Sequence, residues 1–99
     1  MYYILFYFPV DDFISKRAPF RTEHLSLLNK RLDDGHVILG GALDEPADQA
    51  LIVWKVDDIR IIEEFVASDP YVTQGLINRH EIRPWNVVIK NSKHQWERH

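Results

Sequence analysis

A histidine and an aspartate are the residues of this 99-residue chain best suited to proton transfer. On a wheel of about 100° per residue, His24 falls among the leucines of its segment, so it should point inward. Asp69, in the stretch Ser68-Asp-Pro-Tyr71, has the position of a helix N-cap followed by Pro at N1. A carboxylate bonded to one imidazole nitrogen fixes the tautomer and raises the basicity of the other, as general acid–base catalysis requires. We therefore predict that Asp69 caps the helix and supports His24, one oxygen serving each role.

Three further residues are candidates for contacting a substrate. Arg21 lies one helical turn before His24, where a guanidinium could bind an anionic group. Tyr71 follows Asp69 closely and could direct its hydroxyl to a pocket. Gly41 belongs to a glycine pair that allows a bulge or a close backbone approach. Each candidate has a plainer interpretation, since the arginine could be solvated, the tyrosine could be core, and a glycine pair alone is a weak signal.

The plainer interpretation of His24 is a core histidine bonded to a backbone carbonyl, because an unsatisfied buried ring would cost about 1–3 kcal/mol. The same pair of side chains therefore supports two functions. In one, His24 and Asp69 carry out proton transfer in a small-molecule enzyme. In the other, they form a structural bond between two helices in a non-catalytic dimeric module that binds a metabolite or a protein partner.

The amino-acid composition and the spacing of histidines argue against several kinds of site and partner. The chain has no cysteine, which excludes disulfides, thiolate catalysis and Cys-based zinc sites. No histidine pair has the close helical spacing of a metal site, and there is no H-E-x-x-H, so we expect no metal. No organic cofactor is indicated. The net charge of −3 opposes nucleic-acid binding, although Tyr3 or Tyr7 on an open sheet face could imitate a base-stacking surface.

The longest apolar run, Tyr2 to Val10, is too short to span a bilayer and lacks the features of a signal peptide. With the absence of cysteine, this favours a cytoplasmic chain that does not associate with membranes. We expect one domain over residues 1–91 and a C-terminal tail over residues 92–99, in which Trp96 could dock.

The alternation of patterns predicts the element order βαββαβ, a ferredoxin-like α+β sandwich with an antiparallel four-stranded sheet and helices on one face. The second helix is capped by Asp57 or Asp58, and a short helical segment follows Asp69. In this fold that segment can approach His24. Pro84 suits an edge strand. The predicted strands are Tyr2–Phe8, Val37–Leu43, Ala50–Val56 and Ile82–Ile89, and the first helix is Pro19–Asp34.

Two of these strands are apolar on both faces. Alternate residues of Tyr2–Phe8 and of Ala50–Val56 point to opposite sides of the sheet, yet both sets are apolar. Helices cover only one side, and the other would expose a larger apolar patch than soluble monomers usually show. We therefore predict a homodimer packed through the sheet face, the alternative being a tail that folds over it.

Three motifs carry a family resemblance: R-x-x-H-L at Arg21–Leu25, D-P-Y-V-x-x-G-L at Asp69–Leu76, and I-R-P-W at Ile82–Trp85. Together they resemble the YciI-like (YCII-related) family of the dimeric α+β barrel superfamily. The resemblance implies a ferredoxin-like fold and a site centred on a histidine and an aspartate, which here are His24 and Asp69. The wider superfamily includes muconolactone isomerases and a dehydrochlorinase. We therefore expect a cofactor-independent lyase or isomerase acting on a compact, cyclic or carboxylated substrate.

One departure from the family pattern concerns the pocket. The connection between the second and third predicted strands, near Pro46, is short where the family often has a longer insert. The resemblance therefore leaves pocket shape and substrate open.

Overall fold

A computed structural model of the chain describes residues 1–91. The predicted tail, residues 92–99, and the docking of Trp96 lie outside this range. Within it, no helix is long and apolar enough to cross a membrane.

The described residues form one four-stranded sheet in which all neighbouring strands are antiparallel and the order is β2-β3-β1-β4. The α+β, ferredoxin-like βαββαβ fold is therefore confirmed. The strand β4 is an edge strand, which explains how Pro84 is accommodated without the loss of an interior ladder bond. The strands are β1 (Tyr2–Pro9), β2 (Val37–Ala42), β3 (Ala50–Lys55) and β4 (Ile77–Trp85).

Four α-helices lie within residues 1–91 and are α1 (Phe13–Lys16), α2 (Arg21–Asp33), α3 (Arg60–Ser68) and α4 (Pro70–Thr73). The first predicted helix begins two residues early, because Pro19 lies in a separate 3₁₀ turn. Helix α1 was not predicted, since four residues are too few to show a helical period. At the start of α3, Asp58 accepts a hydrogen bond from the backbone N–H of Arg60.

The predicted position of the last strand is wrong by several residues. It was predicted at Ile82–Ile89, but β4 begins at Ile77, directly after the turn at Gly75 with its positive φ of 77°. The start of β4 is polar because its residues lie at the sheet edge, where one side of the ladder faces solvent. The apolar residues Val88 and Ile89, which suggested a longer strand, lie beyond it and are exposed.

The main hydrophobic core lies between the sheet and the helices. Strand β1 contributes Leu5 and Tyr7, and β3 contributes Ile52 and Trp54. Helix α3 packs on this surface through apolar residues at helical spacing, with Ile62 fully buried. A smaller cluster of Phe13, Tyr71 and Leu76 lies beside it.

The opposite sheet face is apolar along its central strands. The pairing of Ile4 with Val53 and of Phe6 with Leu51 places these residues together on that face, and all four are partly exposed. Tyr7, by contrast, faces the helices with 1% of its surface exposed. The suggestion that Tyr7 could stack bases on an open sheet is therefore wrong.

Candidate functional site

Asp69 is positioned by the break between two helices. Helix α3 ends at Ser68, Asp69 has extended backbone angles (φ −70°, ψ 121°), and Pro70 opens α4. The Asp69 Oδ1 atom accepts a hydrogen bond from the backbone N–H of Tyr71 at 3.0 Å, so the side chain is an N-cap. The residue is nevertheless fully buried, with 0% of its surface exposed. A buried carboxylate requires more partners than a cap provides.

The structure brings His24 to this carboxylate. The imidazole Nδ1 of His24, on α2, lies 2.8 Å from Oδ1 of Asp69. Because Oδ1 accepts, Nδ1 carries the proton of the neutral ring and Nε2 is left as an acceptor. The alternative of a backbone carbonyl as the partner of His24 is therefore wrong. His24 is 8% exposed, whereas Leu25 and Leu32, two of the leucines of the same helix, are exposed.

Tyr7 completes the set of donors and was missed as a site residue. Its hydroxyl donates to Oδ2 of Asp69 at 2.8 Å, between residues 62 positions apart in sequence. The prediction that one carboxylate oxygen of Asp69 caps the helix while the other binds His24 is wrong. The cap and His24 share Oδ1, and Oδ2 is bound by Tyr7. A buried tyrosine hydroxyl usually needs a partner, but β1 is apolar on both faces and its sequence does not show which tyrosine is buried.

The surroundings of the Tyr7 hydroxyl shift its pKa. Burial raises the pKa of the Tyr7 hydroxyl well above its ordinary value, and the negative charge and hydrogen bond of Asp69 raise it further. Each of these effects disfavours a second negative charge next to the carboxylate. The Tyr7 hydroxyl therefore remains a donor to Asp69 across the physiological pH range.

The raised pKa of Tyr7 predicts a specific loss of stability in alkali. Below about pH 10 the hydroxyl is protonated in both states, and above it only the unfolded chain gives up the proton. The free energy of unfolding should therefore fall by up to about 1.4 kcal/mol per pH unit above pH 10 through this residue. Urea unfolding of wild type and Tyr7→Phe at about pH 7 and pH 11 measures it.

The substitution Tyr7→Phe should cost about 1–3 kcal/mol at neutral pH, because Oδ2 loses its donor. Above pH 10 the free energy of unfolding of Tyr7→Phe should also decline less steeply than that of the wild type. All other titrating groups are common to both proteins, so their contributions cancel. An identical alkaline decline in the two proteins would contradict the assignment of Tyr7.

His24 lies on the wall of a cavity of about 170 Å³ between α2, α4 and the sheet. The ring of Tyr71 stacks on the His24 ring with centroids 3.8 Å apart and planes 11° apart. Phe13 meets Tyr71 edge to face. Most of the remaining wall is apolar, from Leu28, Ala50 and Ile52 among others. Since Nδ1 is held by Asp69, Nε2 is the ring nitrogen available to a ligand in this cavity.

The predicted substrate-contacting residues all line the cavity. Arg21, Tyr71 and Gly41 are part of its wall, and so is Arg17, which the sequence reasoning missed because it lies in an irregular connection. A close backbone approach occurs at Gly40, where an added Cβ would lie 3.1 Å from Cγ1 of Ile52. An added Cβ at Gly41 would meet no atom within 4 Å, so the steric argument for Gly41 is wrong even though the residue lines the cavity.

The charges around Tyr71 differ from those around Tyr7. Burial raises the pKa of the Tyr71 hydroxyl, and the positive charges of Arg17 and Arg21 oppose that rise. The Arg21 side chain is close enough to donate to the Tyr71 oxygen, but no group within residues 1–91 accepts a hydrogen bond from the buried hydroxyl. In the same part of the chain, no group of three or more His, Cys, Asp or Glu side chains could hold a metal ion.

Comparison with known proteins assigns the family. The model of the YCII-related domain matches residues 1–86, which include the histidine, the aspartate and the whole sheet. The chain belongs to the YCII-related domain family. An uncharacterized protein of Haemophilus influenzae is 23% identical to this YCII-related domain over 98 residues, covering 90% of this chain and 100% of the relative.

Solved structures share the fold of this YCII-related domain. The 5-chloro-2-hydroxyhydroquinone dehydrochlorinase TftG of Burkholderia phenoliruptrix, in complex with 2,5-dihydroxybenzoquinone, superposes with a TM-score of 0.73 at 16% identity, covering 87% of this chain and 94% of TftG. A NIPSNAP-like domain protein of Burkholderia xenovorans gives a TM-score of 0.55 at 18% identity, covering 94% of this chain and 86% of that one. At these identities the likeness is one of fold.

Proposed function

We propose that this YCII-related protein is a cofactor-independent enzyme of the lyase or isomerase type, in which His24 moves a proton on a small molecule. One observation carries the proposal. The Nδ1 atom of His24 is bonded at 2.8 Å to a fully buried carboxylate, while the same ring lines a cavity. A base with one nitrogen anchored and the other available to a ligand has the arrangement of a general acid–base catalyst.

The chemistry follows from the two nitrogens. Nε2 accepts a proton from a carbon next to a carbonyl group of the substrate, and the electron pair of the broken C–H bond moves onto the carbonyl oxygen. The imidazolium then carries protons on both nitrogens and is stabilised by Asp69. Collapse of the enolate either takes the proton back at another carbon, which is isomerisation, or expels a leaving group as an anion, which is elimination. Arg21, Tyr71 and Gly41 contact the substrate.

The relative TftG supports a ring-sized substrate. Its name describes a dehydrochlorinase, and it was solved with 2,5-dihydroxybenzoquinone, a single-ring compound. The cavity of about 170 Å³ agrees with that size, since an apolar protein cavity of about 150 Å³ takes up benzene. Elimination of a halide or another anion from a cyclic substrate is therefore a reaction that this proposal includes.

The first experiment is a thermal-shift screen of small carboxylates and lactones against wild type and His24→Ala. A substrate or product analogue should raise the melting temperature of the wild type and should stabilise the variant much less, because binding to the native state adds to stability. If every stabilising compound acts equally on both proteins, His24 is not part of the binding site and the proposal fails.

A second candidate is a non-catalytic dimeric module that binds a metabolite or protein. The observation that favours it is the hydrogen-bond network itself, because Asp69 ties α4 to α2 through His24 and to β1 through Tyr7. In such a module, the loss of His24 lowers stability but changes no reaction. The enzyme and the module therefore differ in what they predict for the loss of His24. In the enzyme turnover depends on His24, whereas in the module only the melting temperature does.

We also propose that the protein is a homodimer packed through the open sheet face. The apolar side chains on that face belong to the central strands, where Ile4, Phe6 and Leu51 are only partly covered. Burying this surface against a second copy would stabilise it by about 25 cal/mol for each Å² removed from water. The C-terminal tail, residues 92–99, is the competing cover and is tested by the same measurement.

Sedimentation should give twice the chain mass of 11.7 kDa for the wild type and the chain mass for Phe6→Arg. Position 6 pairs with Glu81 across β1 and β4, so an arginine there gains a cross-strand ion pair in the monomer and an unfavourable buried charge in the dimer. Ile14→Arg is the control, because Ile14 is an exposed apolar residue of α1, away from the sheet. A monomeric wild type would exclude the dimer.

A further inference from the structure

We propose that the ligand of this cavity is a single-ring anion, whose charged oxygen is bound by Arg17, Arg21 and the hydroxyl of Tyr71. This inference rests on the proposed function, because it names the substrate class of the same site. It adds Arg17 and gives Arg17, Arg21 and Tyr71 one shared role, which is recognition of a negative charge on the ligand.

The first observation is an excess of positive charge. Arg17 and Arg21 both line the cavity, and none of the residues that line it is Asp or Glu. The ion pairs within the described part of the chain involve other arginines, Arg31, Arg60 and Arg79. Within residues 1–91 neither Arg17 nor Arg21 forms an ion pair, and two such guanidinium groups beside an apolar cavity are suited to a carboxylate or an ionised hydroxyl of a ligand.

The second observation is independent of charge. Tyr71 is 3% exposed, its side chain lines the cavity, and no group within residues 1–91 accepts a hydrogen bond from its hydroxyl. Leaving a buried hydroxyl unsatisfied costs about 1–3 kcal/mol. A ligand oxygen at this position would accept the hydrogen bond. The structure gives the Tyr7 hydroxyl a different role, since it is already donated to Asp69.

The third observation fixes the size and shape of the ligand. The volume of about 170 Å³ is close to the cavity of about 150 Å³ that takes up benzene, so it matches one six-membered ring with small substituents better than two fused rings. Near His24 the cavity wall contains the imidazole stacked on the Tyr71 ring, and the Phe13 ring meets the Tyr71 ring edge to face. Arg17 continues this wall, with its guanidinium carbon 5.5 Å from the centre of the Phe13 ring. A planar ring matches such a surface.

Calorimetric titration with four probes tests the ligand class: benzoate, the neutral benzamide, acetate and 1-naphthoate. Benzoate should bind the wild type at least about tenfold more tightly than each of the other three. Benzamide lacks the charge, acetate lacks the ring, and naphthoate exceeds the volume. Raising the salt concentration should weaken benzoate binding because the arginines are partly solvent-accessible.

Variants then test the three residues. Arg17→Gln and Arg21→Gln should each weaken benzoate binding about tenfold, whereas Lys30→Gln, an equal charge change at an exposed residue of α2, should change it less than about twofold. Tyr71→Phe should weaken binding about three- to tenfold without lowering the melting temperature, because the deleted hydroxyl donates to no group within residues 1–91. A purely structural role for Tyr71 would not weaken benzoate binding while leaving the melting temperature unchanged.

The outcomes separate this inference from the proposed function. If benzoate binds as described but His24→Gln turns over a substrate as fast as the wild type, the anion site stands and the enzyme proposal fails. The inference is overturned if benzamide or naphthoate binds as tightly as benzoate, if benzoate does not bind, or if the arginine variants behave like Lys30→Gln.

Discussion

Replacing His24 with Gln should lower kcat at least about 100-fold on any substrate that the protein turns over, because a positioned general acid–base group contributes about 10²–10⁴-fold. Glutamine fills most of the volume of the imidazole and can still donate from its amide to Oδ1 of Asp69, so the buried network keeps a donor. What is lost is the group that exchanges a proton at Nε2. Steady-state rates of wild type and variant under saturating substrate measure the effect.

Asp69→Asn should reduce kcat in the same direction with the fold intact. The amide oxygen can take the position of Oδ1 and accept from His24 and the Tyr71 N–H, while the NH₂ group donates to the Tyr7 hydroxyl. The variant removes the negative charge that stabilises the imidazolium. The rate should therefore fall although the hydrogen-bond geometry around His24 is kept. KM should change less than kcat, since Asp69 does not line the cavity.

The control for His24→Gln is His80→Gln, the same chemical change at an exposed histidine of β4. It should leave kcat within about twofold of wild type, because substitutions at exposed positions away from a site have small effects. If His24→Gln retains full turnover, or if His80→Gln loses as much, the proton-transfer role of His24 is wrong.

Asp69→Ala should lower the free energy of unfolding by about 3–5 kcal/mol, the range seen when one member of a buried pair is removed. The substitution leaves the Tyr7 hydroxyl, the His24 Nδ1–H and the Tyr71 N–H without their acceptor. It also removes the N-cap of α4. Since domains of this kind are stable by about 5–15 kcal/mol in total, the variant should be close to unfolding at physiological temperature.

Asp58→Ala is a matched control for this loss of stability. Asp58 also accepts a hydrogen bond from a backbone N–H at a helix start, and it pairs with the side chain of Arg60, but both groups are exposed. Urea unfolding should show a much smaller loss for this variant, because a solvated ion pair contributes little. Equal losses at Asp58 and Asp69 would mean that capping alone accounts for Asp69.

The sequence predicts the fold because several local signals agree. The leucine spacing of α2, the Asp-Pro start of α4 and the apolar strands each specify an element, and only a βαββαβ order accommodates them. Periodicity alone also turns His24 toward the sheet, and N-cap preference alone locates Asp69 at a helix start. The error at β4 has a physical cause. Strand pairing with β1 decides where β4 begins, and an edge strand can be polar.

Two site residues were missed for reasons that are also physical. Tyr7 lies in a strand whose two faces are both apolar, so alternation could not show which tyrosine hydroxyl meets the carboxylate. Arg17 lies between α1 and a 3₁₀ turn, where no period relates a residue to a face of the fold. Its place on the cavity wall depends on how the chain turns after β1. Tertiary packing, and not local pattern, determines both positions.

The most direct test of the proposed site is the position of the proton on His24. Long-range ¹H–¹⁵N NMR correlates both imidazole nitrogens with the ring protons and identifies the tautomer of the ring in its neutral form. With Nδ1 at 2.8 Å from Asp69, we expect the proton on Nδ1 and an unprotonated Nε2 facing the cavity. A neutral ring with its proton on Nε2 would contradict the account.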